Sequence, residues 1–185
     1  RAMNTINTQW ARRLPVVRRG ALLREATIDG DATDVEVYGR AKDGAAHAYT
    51  GALTLRSHIA HWAEAQVPLA AELMGGTEDP RSNMVGILDA AIAALPDGVE
   101  RIRTRWDAGY FAADLAKACL ARGVSFAIGA KRTRPLMVAA QHAPEEAWVP
   151  AIGMEHTEVA IIDYLPGTWP TGAGSWIGRS SSWPP

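Results

Sequence analysis

Two stretches of this sequence place carboxylates where a strand is expected to meet a turn. One is the cluster Asp29-Gly30-Asp31-Ala32-Thr33; the other is Asp107, within Arg105-Trp106-Asp107-Ala108-Gly109-Tyr110-Phe111. In an open sheet with parallel strands, side chains at strand ends line the crevice where ligands bind. If the two strands are neighbours, about 4.8 Å apart, carboxylates from both can share divalent metal ions. A pair of metals roughly 3.5–4 Å apart clamps the attacking and leaving oxygens of a phosphoryl transfer, and hard oxygen donors select Mg²⁺ or Mn²⁺. The structural alternative is that Asp29 and Asp31 are turn formers and that Asp107 caps a helix beginning near Ala112.

The remaining reactive side chains offer less. His58 and His61 lie three apart in an expected strand, so they point to opposite faces and cannot chelate one ion locally. His47, His142 and His156 are scattered, and all five histidines read as structural or surface residues. The single cysteine, Cys119, excludes a disulfide framework and any multi-cysteine zinc site, and it falls among helical apolar residues as a core position. Arg101, Arg103 and Arg105 alternate along the strand face that also carries Asp107. They suit either phosphate contact or the balancing of acidic neighbours, with Arg105 nearest the carboxylate.

Net charge is -1, but it is unevenly spread: residues 1–24 hold Arg1, Arg12, Arg13, Arg18, Arg19 and Arg24 and no acid. A basic arm ahead of an acidic body suits phosphate binding beside a carboxylate site, or else a solvated helix face. The 185 residues, 48% hydrophobic and 21% charged, suffice for one domain with its own core. No apolar run approaches the ~20 residues that span a bilayer, and residues 1–24 lack the pattern of a signal peptide, so the expected setting is cytoplasmic.

Positioning these groups requires a sheet. The sequence predicts a strand, turn and strand over 26–38, with the turn at Asp29-Gly30-Asp31, then an irregular loop over 39–52. A hairpin follows from Ser57–Glu64 and Val67–Met74, then a helix capped by Ser82 or Asn83 and stopped at Pro96-Asp97-Gly98. Next come a strand over 100–106, a helix over 112–122 ended by Gly123, a strand over 124–128, a helix over 134–142 and a strand over 159–164. Strands first, then alternating helices and strands, make an α/β mixed sheet with crossover helices. From Leu165 to Pro185 the only charge is Arg179, and no helix or strand period is evident.

Residues 26 to 170 resemble the DDE-type transposases of bacterial insertion sequences, the group known as transposase DDE domain group 1. The resemblance is carried by Ile28-Asp29-Gly30-Asp31-Ala32-Thr33 with Val35-Glu36-Val37-Tyr38-Gly39, by His58-Ile59-Ala60-His61-Trp62-Ala63-Glu64, and by 73–83 from Leu73-Met74-Gly75-Gly76 to Ser82-Asn83. Its most specific piece is Trp106-Asp107-Ala108-Gly109-Tyr110-Phe111, and 123–129 completes it. The resemblance implies a ribonuclease H-like fold, with one catalytic aspartate on the first strand and another on the fourth. It implies metal-dependent DNA cleavage and joining, with water and then a 3′-hydroxyl as nucleophile. The aspartate–x–threonine spacing assigns the first position to Asp31, with Asp29 as a nearby alternative ligand, and the motif assigns the second to Asp107. Implied partners are insertion-sequence ends and target DNA, reached through Arg12, Arg13, Arg18, Arg19 and Arg105, with a homodimer when full length. The cofactor is Mg²⁺ or Mn²⁺.

One departure from the family pattern is expected to matter. Its third acid is a glutamate on a later helix in a basic-rich region, whereas the later acids here are Glu145, Glu146, Glu155, Glu158 and Asp163, in an expected turn and strand. The chain is therefore read as a basic arm (1–24), a partial catalytic core (25–164) incomplete at its C-terminus, and an irregular tail (165–185) open to an out-of-frame origin. Strand transfer is then expected to be impaired, and a non-catalytic remnant that binds DNA is the rival. A further rival is the aspartate–x–aspartate–x–threonine signature of haloacid dehalogenase-like phosphatases, with Asp29 as nucleophile and Asp31 as general acid. Against it stand the polar run Leu23-Arg24-Glu25-Ala26, Asp34 where an aliphatic residue is expected, and the lack of a later acidic pair.

Overall fold

The computed structural model describes residues 6, 8–9, 11, 13, 15, 20–39, 41–48, 50–162, 164–171 and 173–180. The chain forms two compact units, residues 1–130 and 131–185. Arg12, Arg18 and Arg19 of the expected basic arm lie outside the described residues.

The first unit is built on a six-stranded mixed sheet. Its centre is β1 (Ala26–Glu36), flanked by β3 (Leu53–Trp62) and β5 (Ile102–Trp106). β3 runs antiparallel to β1 from Ile28 opposite Trp62 to Glu36 opposite Thr54, and β5 runs parallel to it from Ala26 beside Ile102 to Gly30 beside Trp106. The outer edge of β3 carries β4 (Val67–Gly75) and the short β2 (Ala46–His47), and β6 (Ser125–Ile128) adds in parallel to β5. The parallel strands need crossovers, supplied by α1 (Met84–Ala94) and α2 (Ala113–Ala121). This is the mixed sheet with flanking helices expected of a ribonuclease H-like core.

The expected turn at Asp29-Gly30-Asp31 is not a turn: the segment is the middle of one continuous eleven-residue strand. Aspartate and glycine favour turns in isolation, but here the backbone pairs with β3 on one side and β5 on the other, and tertiary pairing overrides local preference. Alternation then splits the residues between faces. Ala26, Ile28 and Gly30 are buried, while Thr27, Asp29, Asp31 and Thr33 point the other way. Asn83, one of the two expected caps, does stand at the N-cap position of α1, but its side chain makes no capping bond and donates to Glu72 instead; the 3-10 turn before it, Pro80–Asn83, is capped by Asp79, which accepts the Arg81 N–H.

The buried face joins Ile28, Ala60, Trp62, Leu69 and Trp106 to Ile87, Leu88 and Ala91 of α1 and Leu115, Ala118 and Cys119 of α2. Fully burying each Leu or Ile side chain contributes about 1.5–3 kcal/mol. Cys119 is a core residue in contact with Thr104, as its helical setting indicated. Val124 follows Gly123, whose φ of +66° lets the chain leave α2 and enter β6.

In the second unit, Pro135 starts α3 (Arg134–Gln141), and an antiparallel sheet joins β7 (Val149–Pro150), β8 (Thr157–Ile162) and β9 (Ser175–Ser180). Among the described residues of this unit, Leu136 of α3 and Ala160 and Ile162 of β8 are buried. β9 falls inside the stretch expected to be irregular; its backbone pairs with β8 from Ser175 opposite Ile162 to Ser180 opposite Thr157. Backbone pairing needs no hydrophobic alternation, which is why Ser175-Trp176-Ile177-Gly178-Arg179-Ser180 gave no strand signal.

Gly30 is the tightest point of the central sheet, because a Cβ there would land within the ring of Trp106. Gly30→Ala is expected to destabilise the chain by about 1–3 kcal/mol through overpacking. Urea denaturation measures this, and an unchanged midpoint would show that Trp106 can move aside at no cost.

Candidate active site

The register of β1 against β5 builds the site. Asp29 lies beside Arg105 and Gly30 beside Trp106, so Asp31 and Asp107 are the next residues on their two strands. Asp31 continues β1 while β5 has ended, and Asp107 retains an extended backbone (φ -74°, ψ 179°). Both are exposed, on the face opposite the helices. The two residues are thus neighbours, as the sequence reading required, but only Asp107 stands at a strand end; Asp31 lies in the middle of β1.

Each carboxylate is held by its own neighbours. Asp31 accepts the Ala32 N–H at 2.8 Å through Oδ1 and the Thr33 hydroxyl at 3.0 Å through Oδ2. Asp107 accepts the Gly109 N–H at 2.9 Å through Oδ1 and thereby caps the 3-10 turn Ala108–Tyr110, rather than the helix near Ala112. Close packing fixes that turn from behind: Gly129 donates to the Trp106 carbonyl at 2.8 Å, and a Cβ at Gly129 would sit 2.8 Å from the Ala108 nitrogen.

Other acids on this face are matched with cations. The Asp29 carboxylate receives Arg105 in a two-pronged ion pair, Nε to Oδ1 and Nη2 to Oδ2, each at 2.6 Å. That hydrogen bonding raises the Arg105 guanidinium above its ordinary value. Glu25 meets Arg101 at 3.4 Å and Arg103 at 3.0 Å. Exposed pairs of this kind contribute about 0–1 kcal/mol to stability. Asp31 and Asp107, by contrast, have no arginine or lysine ion pair among the described residues. All three alternating arginines thus balance acids. Arg105 does so one rung along the same face from the two aspartates.

Beneath the pair sits an aromatic stack that the sequence did not single out. Tyr110, carried under the sheet by the Asp107 turn, packs against Trp106 with ring centroids 4.9 Å apart and against His58 at 5.3 Å. Burial, followed by the negative charges of Asp31 and Asp107, raises the Tyr110 hydroxyl well above its ordinary value. The same hydroxyl therefore senses both carboxylates. His58 is fully buried, and neither its ring nitrogens nor the Tyr110 hydroxyl has a hydrogen-bond partner among the described residues. Burial lowers the His58 imidazole below its usual value of 6.5, although Glu72 and Asp31 pull the other way. The spacing that put His58 and His61 on opposite faces is correct, since His58 lies inside and His61 outside. The available signal for His58 was its alternation with Ala60 and Trp62.

Among the described residues no group of three His, Cys, Asp or Glu side chains is arranged to hold a metal ion. The later acids belong to the second unit: Glu145 and Glu146 form a 3-10 turn, Glu155 precedes β8 and Glu158 lies in β8, while Asp163 lies outside the described residues. Arg13 is exposed. The donors at Asp31 and Asp107 still suit a divalent ion. They are hard oxygens on adjacent strands, without cationic competitors, and Mg²⁺ is commonly bound by one or two carboxylates together with substrate phosphates.

The sequence pattern of the family described as "Transposase DDE domain group 1" matches residues 13–174. No curated protein matches the chain in sequence. Among solved structures, the chain is similar to a piggyBac transposase in a synaptic complex with hairpin DNA, at 9% identity and a TM-score of 0.49, over 75% of this chain and 30% of that one. It is also similar to the Mos1 mariner transposase in a paired end complex with Mn, at 10% identity and a TM-score of 0.41, over 77% of this chain and 49% of that one. The chain thus spans less than half the length of either.

The buried imidazole sets a pH dependence. Because the folded-state value of His58 is depressed, the unfolded chain takes up the proton first, and stability falls as pH drops below about 6.5. This one group contributes a slope of at most about 1.4 kcal/mol per pH unit. Urea titrations between pH 5 and 8 should show a shallower acid-side decline in His58→Asn than in the native chain. Parallel pH profiles would mean that His58 does not resist protonation.

Proposed function

The chain belongs to the group 1 family of transposase DDE domains, and from that premise we propose that it carries the two-aspartate part of a site for metal-dependent DNA strand cleavage and strand transfer. The observation that carries this reading is the register of β1 with β5, which sets Asp31 of β1 beside Asp107, the residue after the end of β5, on a face where Glu25 and Asp29 are matched with arginines. Two unmatched carboxylates at one spot repel each other unless a cation joins them.

Asp31 and Asp107 would hold Mg²⁺ or Mn²⁺. Such an ion, when bound, supplies charge for activating an oxygen nucleophile and for stabilising the phosphate oxygens. The chain's own groups prepare the site. Thr33 and the Ala32 N–H fix the Asp31 carboxylate, and the Gly109 N–H holds one oxygen of Asp107, whose other oxygen has no protein donor among the described residues. Asp29 is left out of the donor set because Arg105 engages both of its oxygens. Arg12, Arg13, Arg18, Arg19 and Arg105 supply positive charge for the phosphate backbone of insertion-sequence ends and target DNA. The reading places the protein in the cytoplasm, as a homodimer.

The later acids Glu145, Glu146 and Glu158 lie in a 3-10 turn and a strand rather than on a helix, and on that ground we take strand transfer by this polypeptide to be impaired; a second reading is that the chain binds DNA without cutting it. Membership of the transposase family leaves no place for the phosphatase alternative.

Mn²⁺ titration followed by electron paramagnetic resonance, with nicking of supercoiled plasmid alongside, tests the proposal. Asp31→Asn and Asp107→Asn should each weaken Mn²⁺ binding at least about tenfold, and any nicking should vanish with either; the fold should survive, since both side chains are exposed. Equal Mn²⁺ binding by both variants and the native chain would sink the two-aspartate site. Sound Mn²⁺ binding without nicking would favour the second reading.

A further inference from the structure

From the pairing at the rung beside Asp31 and Asp107, we infer that Asp29 is a positioning residue. It holds Arg105 as an oriented clamp for a DNA phosphate flanking the one at the two aspartates. The inference rests on the reading of Asp31 and Asp107 given above and assigns their neighbours a task.

The geometry separates this pair from the other arginine contacts on the face. Arg101 and Arg103 reach Glu25 through single nitrogens at 3.4 and 3.0 Å, and their side chains are 70% and 57% exposed. Arg105 instead presents one whole edge of its guanidinium to Asp29, with both contacts at 2.6 Å. A planar fork locked along one edge cannot swivel, so its remaining N–H groups have a fixed direction. Nη1 and the outward N–H of Nη2 have no protein acceptor among the described residues, and the side chain is 61% exposed. Those free donors suit a tetrahedral anion.

Placement gives the anion its identity. Asp29 and Asp31 lie two residues apart on one face of β1, and Arg105 and Asp107 lie two apart on β5 and its extension. The clamp therefore stands about 6.6 Å along the strands from the carboxylate pair. A strand whose reacting phosphate sits at Asp31 and Asp107 can bring a flanking phosphate to Arg105. Holding that phosphate orients the strand without touching a base, as backbone contacts do.

The test exploits a difference in sign. If Asp29 were only a negative charge near DNA, Asp29→Asn would strengthen DNA binding, because a repulsive group is removed. As a positioning residue, Asp29→Asn loosens the clamp and should weaken binding of short duplex DNA about threefold to tenfold by fluorescence anisotropy in EDTA. Arg105→Lys, which keeps the charge but loses the fork, should weaken binding comparably, and adding Asp29→Asn to it should cost little more. Arg105→Ala should also lower the salt dependence of binding by about one phosphate contact. Mn²⁺ binding by Asp29→Asn should stay within twofold of the native chain, whereas Asp31→Asn loses it. Unchanged or tighter DNA binding by Asp29→Asn would overturn the inference, as would a loss of Mn²⁺ matching that of Asp31→Asn. If the native chain binds no Mn²⁺, the two-aspartate reading fails on that arm alone, and the sign of the Asp29→Asn effect on DNA still decides the clamp.

Discussion

Everything at the candidate site depends on the parallel pairing of β1 with β5. That register sets Asp29 beside Arg105 and carries Asp31 and Asp107 to the next position on the same face. A slip of one residue would turn every side chain of β1 to the opposite face, bringing Asp29 and Asp31 in against Trp62 and Leu88 and turning Ile28 out. The register is held by what lies on the buried side. Gly30 has no side chain, so the Trp106 ring covers the strand at that point, and no larger residue fits the same alignment. The pattern that fixes the core thus also fixes the chemistry on the outer face.

The stack of Trp106, Tyr110 and His58 extends this coupling to the turn that bears Asp107. Tyr110 is buried and anchors the far end of the 3-10 turn, while the Asp107 carboxylate caps its near end through the Gly109 N–H. The orphaned polar atoms of Tyr110 and His58 cost stability, since an unpaired buried donor or acceptor is worth about 1–3 kcal/mol. A fold selected for stability alone would favour apolar rings at both places. The outer face follows a different economy: its ion pairs add little to stability and mainly set where positive and negative charge stand around the two aspartates.

Much of this arrangement was legible in the sequence, for identifiable reasons. The β3–β4 hairpin, both crossover helices and the strand ending at Asp107 carry local signals: alternation, helical spacing, and the stops at Gly98 and Gly123. The stretch around Asp31 misled because aspartate and glycine speak for a turn, and only the partners on both sides, distant in sequence, make it a strand. The threonine by which Asp31 was ranked before Asp29 donates its hydroxyl to Asp31. The ion pair that occupies Asp29 joins residues 76 positions apart and leaves no local trace. Tyr110 and His58 were invisible as a pair for the same reason. β9 escaped notice because its pairing is made by the backbone, to which composition is blind.

The central claim is that Asp31 and Asp107 act as one cation-binding unit while Asp29 does not take part. The most direct measurement is anomalous diffraction from crystals of this chain soaked in Mn²⁺. The account predicts a peak at Asp31 and Asp107, with the Asp29–Arg105 pair intact. A peak ligated by Asp29 with Arg105 swung away, or no peak at the two aspartates in crystals that bind Mn²⁺ elsewhere, would contradict it.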